Sequence, residues 1–251
     1  MKENDLNHFL QKGFILIKEV FSSKLAFEIQ DLLWERLEWN KNNPEEWPNN
    51  YLIEEIIETQ ATSKVTNQIY YNVIDSLVGK DRYLPLGKGV GYSPVQFPVD
   101  VDKWEATGWH IDGNFFHHHV TSPEQGLIGV ELFSDIEPEG GGTAIRIGSH
   151  LITAKILAQA EPNGLTSQEI TKAVKENSKN LPIVEAIGKA GDVLLMHPFF
   201  LHSSSTNRTD KVRFASNRCI SLKKPMSFSR NDQNYSMVEK AVLSEVRSTL
   251  N

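Results

Sequence analysis

From Gly79 to about residue 230 the chain is cut into short β-favouring runs by Gly, Pro, Asn and Asp, and this texture leaves few folds open. The runs cover 127–133, 144–147, 183–187, 193–196 and 213–222, each rich in branched or aromatic residues. Helical patterns frame them. Ser22 or Ser23 caps a helix in which Leu25, Ile29, Leu32, Leu33 and Leu37 recur at the helical period. Before it, the FILI run at 14–17 reads as a buried strand after Gly13. Residues 40–50 form a polar, proline-punctuated loop, and a second helical stretch is predicted over roughly 52–78, with Leu52, Ile56, Ile69, Val73, Leu77 and Val78 as its apolar points. Two helices interrupt the β region, at 150–160 (capped by Ser149) and near 167–176, and a last one closes the chain at 236–249. Helices, then many short strands, then a closing helix predict an α+β domain built on an antiparallel sandwich or barrel. Neither a Gly/Ser linker nor an internal repeat divides the 251 residues, so they read as one domain: a mostly helical part over 1–79, a β core over 80–230 and the closing helix.

Charge and cysteine usage narrow the function classes. Lys and Arg number 26 against 32 Asp and Glu, a formal net charge of −6, which argues against a nucleic-acid partner held by its phosphates. The single cysteine, Cys219, excludes a disulfide framework within the chain and a cysteine zinc finger. No apolar run is long enough to span a membrane, and the opening MKENDLNHFL is polar and acidic where a signal peptide would be basic and then apolar. The expectation is a cytoplasmic protein with no membrane partner and no obligate protein partner.

Chemistry is concentrated in two places. In Trp109-His110-Ile111-Asp112-Gly113, the i, i+2 spacing of a strand turns His110 and Asp112 to one side. An imidazole and a carboxylate on one side are two of the three ligands of a 2-His-1-carboxylate site, the usual holder of non-haem Fe(II). About 90 residues later, 196–219 runs strand, His202, polar turn, then a second strand starting near Arg213. A hairpin of this kind brings an arginine beside a metal-bound histidine. The guanidinium fork matches a carboxylate. A metal at one end of a pocket and an arginine at the other fit a small dicarboxylate, with Ser204, on the His202 side of its strand, able to bond the same carboxylate. His197 competes with His202 as third ligand, but its odd spacing puts it on the opposite side, and the interval to Arg213 favours His202.

The sequence resembles the phytanoyl-CoA dioxygenase-like family of Fe(II)/2-oxoglutarate oxygenases. Four motifs carry the resemblance in the family's order: residues 9–20 (FLQKGFILIKEV) with the helix after them, WHIDG, GGGTAIRIGSH at 140–150, and the block from Gly191-Asp192-Val193 through His202 to Arg213. Ile147 stands where proline is usual before the GSH, and Gly140 where asparagine usually opens the glycine turn. The resemblance implies a double-stranded β-helix (a cupin-like jelly roll) with flanking terminal helices. It implies iron held by His110, Asp112 and His202, and 2-oxoglutarate held by Arg213 and Ser204, with Tyr92, Gln96 and Thr143 as further contacts. It also implies an O2-dependent reaction on a small-molecule substrate, with succinate and CO2 released and a C–H bond hydroxylated. Because Asp112 keeps the carboxylate that halogenating relatives lack, hydroxylation, desaturation or ring closure is favoured.

Other residues near these motifs have less specific readings. Trp109, His117 and Arg146 are candidate substrate contacts, Arg146 on the assumption that strand alternation turns it inward. The His117-His118-His119 run reads mainly as pocket rim, and GKGVGY at 87–92 as a strand entry, since no helix follows to receive a phosphate. Loops 40–50, 98–108 and 113–126 are the expected lid. Two other classes share parts of the pattern: a cupin-like metal-dependent isomerase or hydrolase, and a non-catalytic metal- or ligand-binding jelly roll. The first has no use for Arg213 and Ser204, and the second usually loses a ligand.

Overall fold

The computed structural model describes residues 1–250. It opens with helix α1 (Glu3–Lys12), which the polar sequence there conceals because Phe9 is its one buried residue. Gly13, at φ 76°, ends it and leads into strand β1 (Phe14–Ile17). Ser22 caps α2 (Ser23–Trp34) by accepting a bond from Leu25 N at 3.2 Å. Leu25, Ala26, Ile29 and Leu33 are its buried stripe, and Leu37 falls beyond its end.

The helix expected over 52–78 divides. Asn50–Ile53 is strand β2, and only Gln68–Val78 is helix α3, capped by Asn67. Leu52 lies opposite Pro94 of strand β3 (Ser93–Gln96), so sheet pairing overrides the helical spacing of its neighbours. The remaining elements are β4 (Ala106–His110), β5 (Leu127–Leu132), β6 (Ala144–Arg146), α4 (Ser149–Ala160), α5 (Ser167–Asn177), β7 (Ile183–Glu185), β8 (Val193–Met196), β9 (His202–Ser205), β10 (Arg213–Ile220) and α6 (Met237–Leu250). Gly148, at φ 88°, holds the cap position of α4 in place of Ser149, whose hydroxyl instead accepts a bond from Leu201 N. Part of the expected lid, 106–108, is strand β4.

The strands form two antiparallel sheets, ordered β1-β8-β5-β10-β3-β2 and β4-β9-β6-β7. They face each other as a double-stranded β-helix, the jelly roll of cupins. Ile128, Val130, Leu132, Leu194, Met196, Ala215 and Ile145 fill the space between them. The other side of the six-stranded sheet carries Leu127, Leu195 and Phe214 against residues of α2, α3 and α6. Strand β5 is buried along its whole length, which is why it reads as an unbroken apolar run apart from Glu131. That carboxylate is paired with Arg218 on the helical side of the sheet. Gly129 is required there: a Cβ would stand 2.2 Å from Tyr70 Oη. No helix among the described residues is long and apolar enough to cross a membrane.

At the start of α4, His150 is fully buried against Phe200 and His197, and neither ring nitrogen has a hydrogen-bond partner. Burial holds its pKa down at about 4, against an ordinary value of 6.5. The unfolded chain therefore takes up this proton first as pH falls, so the contribution to stability is complete above the ordinary value and is lost on the way down to pH 4. Between pH 7 and 5 the loss is about 2 kcal/mol from this residue alone. His150→Leu is expected to lose less stability than the wild type over that interval by this amount, measured by urea unfolding at the two pH values.

Candidate active site

Strand β4 ends on His110, and β9 begins on His202 directly opposite it in the sheet. Asp112 follows two residues after His110, just beyond the strand. The Nε2 atoms of His110 and His202 lie 3.3 Å and 3.6 Å from the same carboxylate oxygen, Asp112 Oδ1. The three ligand atoms fall within 4.8 Å of one another, and no other such group occurs among the described residues. Each ring is also held from behind: Nδ1 of His110 is 2.8 Å from Gly108 O, and Nδ1 of His202 is 3.0 Å from Phe200 O. A proton on Nδ1, donated to those carbonyls, leaves the Nε2 lone pair facing the cleft, as metal ligation requires. Burial lowers the His202 pKa and so favours the neutral ring. Burial opposes charge on Asp112 too, but His202 and His110 beside it hold the carboxyl at about 2. The hydrogen bond with Asp112 raises the His110 pKa, so a metal binding there displaces a proton from that ring. Two imidazole nitrogens and one carboxylate are a donor set for a divalent transition metal.

A buried cation stands at the other end of the site. Arg213 opens β10 opposite Gln96 of β3 and is 3% exposed. Its Nη1 donates to Pro94 O at 3.0 Å and its Nη2 to Thr143 Oγ1 at 3.3 Å, while Nε has no partner. Glu185 is the acid that acts on it from a distance, and that carboxylate is already occupied by the backbone N–H groups of Glu139 and Gly142. Burial brings the Arg213 pKa down to about 10, which leaves it charged at neutral pH. A buried charge without a counterion is costly, so the site calls for an anion here. Between Arg213 and the triad lies a cavity of about 210 Å³, lined among others by His110, His202, Gln96, Thr143, Asn217 and Val130.

The family model of phytanoyl-CoA dioxygenase (PhyH) matches residues 65–215, a span that holds the triad and Arg213. The chain belongs to the phytanoyl-CoA dioxygenase family. No curated protein matches it in sequence. Among solved structures it is similar in fold to HygX from Streptomyces hygroscopicus, solved with nickel, 2-oxoglutarate and hygromycin B bound: TM-score 0.53, 15% identity, 94% of this chain and 96% of that one covered. It is also similar to the epimerase SnoN, solved in complex with Fe3+, alpha-ketoglutarate and nogalamycin RO (TM-score 0.54, 15% identity, 87% and 82% covered). The carbocyclase SnoK from nogalamycin biosynthesis is a third (TM-score 0.53, 15% identity, 88% and 84% covered).

Of the residues singled out in the sequence of this family member, Gln96 and Thr143 lie in the cavity wall with Arg213. Ser204 also lines the cavity but is exposed, and its hydroxyl makes no hydrogen bond within the protein. Five candidates point elsewhere. Strand β3 begins only at Ser93, so Tyr92 sits in the preceding turn at φ 46° with its side chain 58% exposed. Ile145 is the residue paired with His202, which turns Arg146 to the outside rather than inward. There it bonds Ser178 O at 3.2 Å and stacks 4.7 Å over Trp109, which alternation places on the far side of β4 from His110. His117 is exposed and bonds Asn163 O at 2.9 Å. His197 is buried with Nε2 3.2 Å from Val238 O, outside the triad. Sequence reasoning missed Asn217, although the period of two along β10 from Arg213 would have found it. It also missed the Pro94 carbonyl and the β2 residues Asn50 and Leu52 at the cavity, which only the pairing of β2 with β3 brings there.

His202→Ala removes a buried donor while leaving its strand paired. It is expected to weaken Co(II) binding by roughly a hundredfold or more, above the loss usual for residues that merely orient a ligand. Titration followed by the visible absorption of the bound Co(II) measures it.

Proposed function

We propose that this chain is an Fe(II)- and 2-oxoglutarate-dependent oxygenase that hydroxylates a C–H bond of a small molecule, with succinate and CO2 as coproducts. The observation that carries this reading is Arg213: a buried guanidinium with an unpartnered Nε, across a cavity from two histidines and an aspartate whose donor atoms converge. Family membership supports the same chemistry, as do neighbours of the same fold solved with iron or nickel and 2-oxoglutarate. Hygromycin B and nogalamycin RO in those neighbours support a small-molecule substrate. The reading takes residues 1–251 as one domain acting in the cytoplasm, where a lone thiol needs no partner.

When bound, iron with 2-oxoglutarate and O2 supplies the oxidising chemistry that couples decarboxylation to attack on the substrate. The residues of the chain do the rest. His110, Asp112 and His202, from β4, its following turn and β9, would hold the metal through donor atoms that lie within 4.8 Å of one another. Arg213 takes the distal carboxylate of the cosubstrate, which converts a costly unpaired charge into a charge-assisted pair. Thr143 and the Pro94 carbonyl fix the guanidinium plane, and Nε is left without a partner in the protein. Gln96, opposite Arg213, adds a polar group at the same end, while Ile128 and Val130 keep the middle of the cavity apolar and exclude water. The His110 side chain is about half exposed where that of His202 is buried, so the substrate approaches from the His110 side.

Epimerisation and ring closure are the competing outcomes, since an epimerase and a carbocyclase share the fold. The test begins with metal-free protein under anaerobic conditions, to which Fe(II) and then 2-oxoglutarate are added. A visible metal-to-ligand charge-transfer band is expected. In Arg213→Ala it should need about a hundredfold more 2-oxoglutarate, the loss expected when a buried charge pair of about 3 kcal/mol is broken. No band in iron-loaded wild type would overturn the reading. Succinate release during substrate screening, with the product mass raised by one oxygen, separates hydroxylation from the alternatives.

A further inference from the structure

We propose that Gln125 is a positioning residue: its side-chain amide holds Asp112 Oδ2, so that only Oδ1 is presented to the metal. The proposal rests on the metal-site reading above. Gln125 is 4% exposed, on the segment leading into β5, and its Nε2 lies 3.5 Å from Asp112 Oδ2. The contact is long, but among the described residues Nε2 has no other acceptor. The other oxygen, Oδ1, is the one that faces both imidazoles, at 3.3 Å and 3.6 Å.

Asp112 needs such a partner because it stands beyond the end of β4, where no sheet hydrogen bond holds it. Ile111 N donates to Thr171 Oγ1 at 3.0 Å, which fixes the backbone but leaves rotation of the carboxylate free. The Gln125 segment, by contrast, is tied firmly to the end of β10. Leu222 N donates to Pro123 O at 2.7 Å, Ser221 Oγ to Glu124 O at 2.7 Å and Gly126 N to Ile220 O at 2.8 Å. An amide anchored on the six-stranded sheet thus reaches a ligand carried by the four-stranded one. The amide NH2 can only donate, and with Oδ2 engaged the carboxylate offers the metal a single oxygen.

Gln125→Met keeps the length and approximate volume of the side chain and removes the donor. Co(II) binding to it is expected to be about 10- to 100-fold weaker than to the wild type. The ligand-field spectrum of the bound Co(II) should also change, a signature that loss of packing alone would not give. Affinity within threefold of wild type together with an unchanged spectrum overturns the role of Gln125 and leaves the metal site standing. Failure of the wild type itself to bind Co(II) overturns the metal-site reading and this proposal with it. Should the variant not fold, hydrogen exchange of the Gln125 side-chain amide in 15N-labelled wild type decides. Protection that rises further when Zn(II) is added supports the contact, whereas exchange as fast as that of surface glutamines, with and without Zn(II), overturns it.

Discussion

The pairing of β4 with β9 is the constraint on which the site depends. It sets His110 opposite His202, and each histidine bonds backward to a carbonyl two residues before it, Gly108 O and Phe200 O. Ring orientation is therefore decided by strand backbone. Much of the remaining structure serves to hold this pair of strands in register. Strand β6 flanks β9, Thr171 of α5 pins the turn that follows β4, and the six-stranded sheet closes over the other side with Arg213 on its inner face.

Electrostatics divides the cavity in two. At the triad, three groups share one region with a single carboxylate charge, which a divalent cation more than offsets. At Arg213 a positive charge is buried with no acid in contact. A dicarboxylic keto acid spanning the cavity answers both ends at once, and the apolar residues between them need no polar partner.

Much of this was legible in the sequence, for identifiable reasons. His110, Asp112, His202 and Arg213 each announce themselves through residue type and spacing, because ligands and ion pairs demand particular side chains. An antiparallel sandwich or barrel was legible from short strands broken by turn residues, the jelly roll itself only through the family resemblance, and the cap at Ser22 follows a local rule. What stayed hidden depends on contacts distant in sequence. Strand β2 looks helical until β3 lies beside it. Arg146 was expected inward because alternation gives two faces without saying which is inner; only the register of Ile145 against His202 decides that. Tyr92 was lost to a positive φ that no propensity predicted. Helix α1 is short and mostly polar, and its apolar residues are limited to Leu6, Phe9 and Leu10.

The position of Asp112 has a consequence for how such a fold changes over time. Two ligands sit on paired strands, but the third sits in a turn that the sheets do not need for their own hydrogen bonding. Replacing it alters the chemistry of the centre while the scaffold that shapes the cavity keeps its register. A substitution there alters the centre at little structural cost, whereas His202 is buried at the start of β9 between His110 of β4 and Ile145 of β6, where only a smaller side chain leaves both pairings undisturbed.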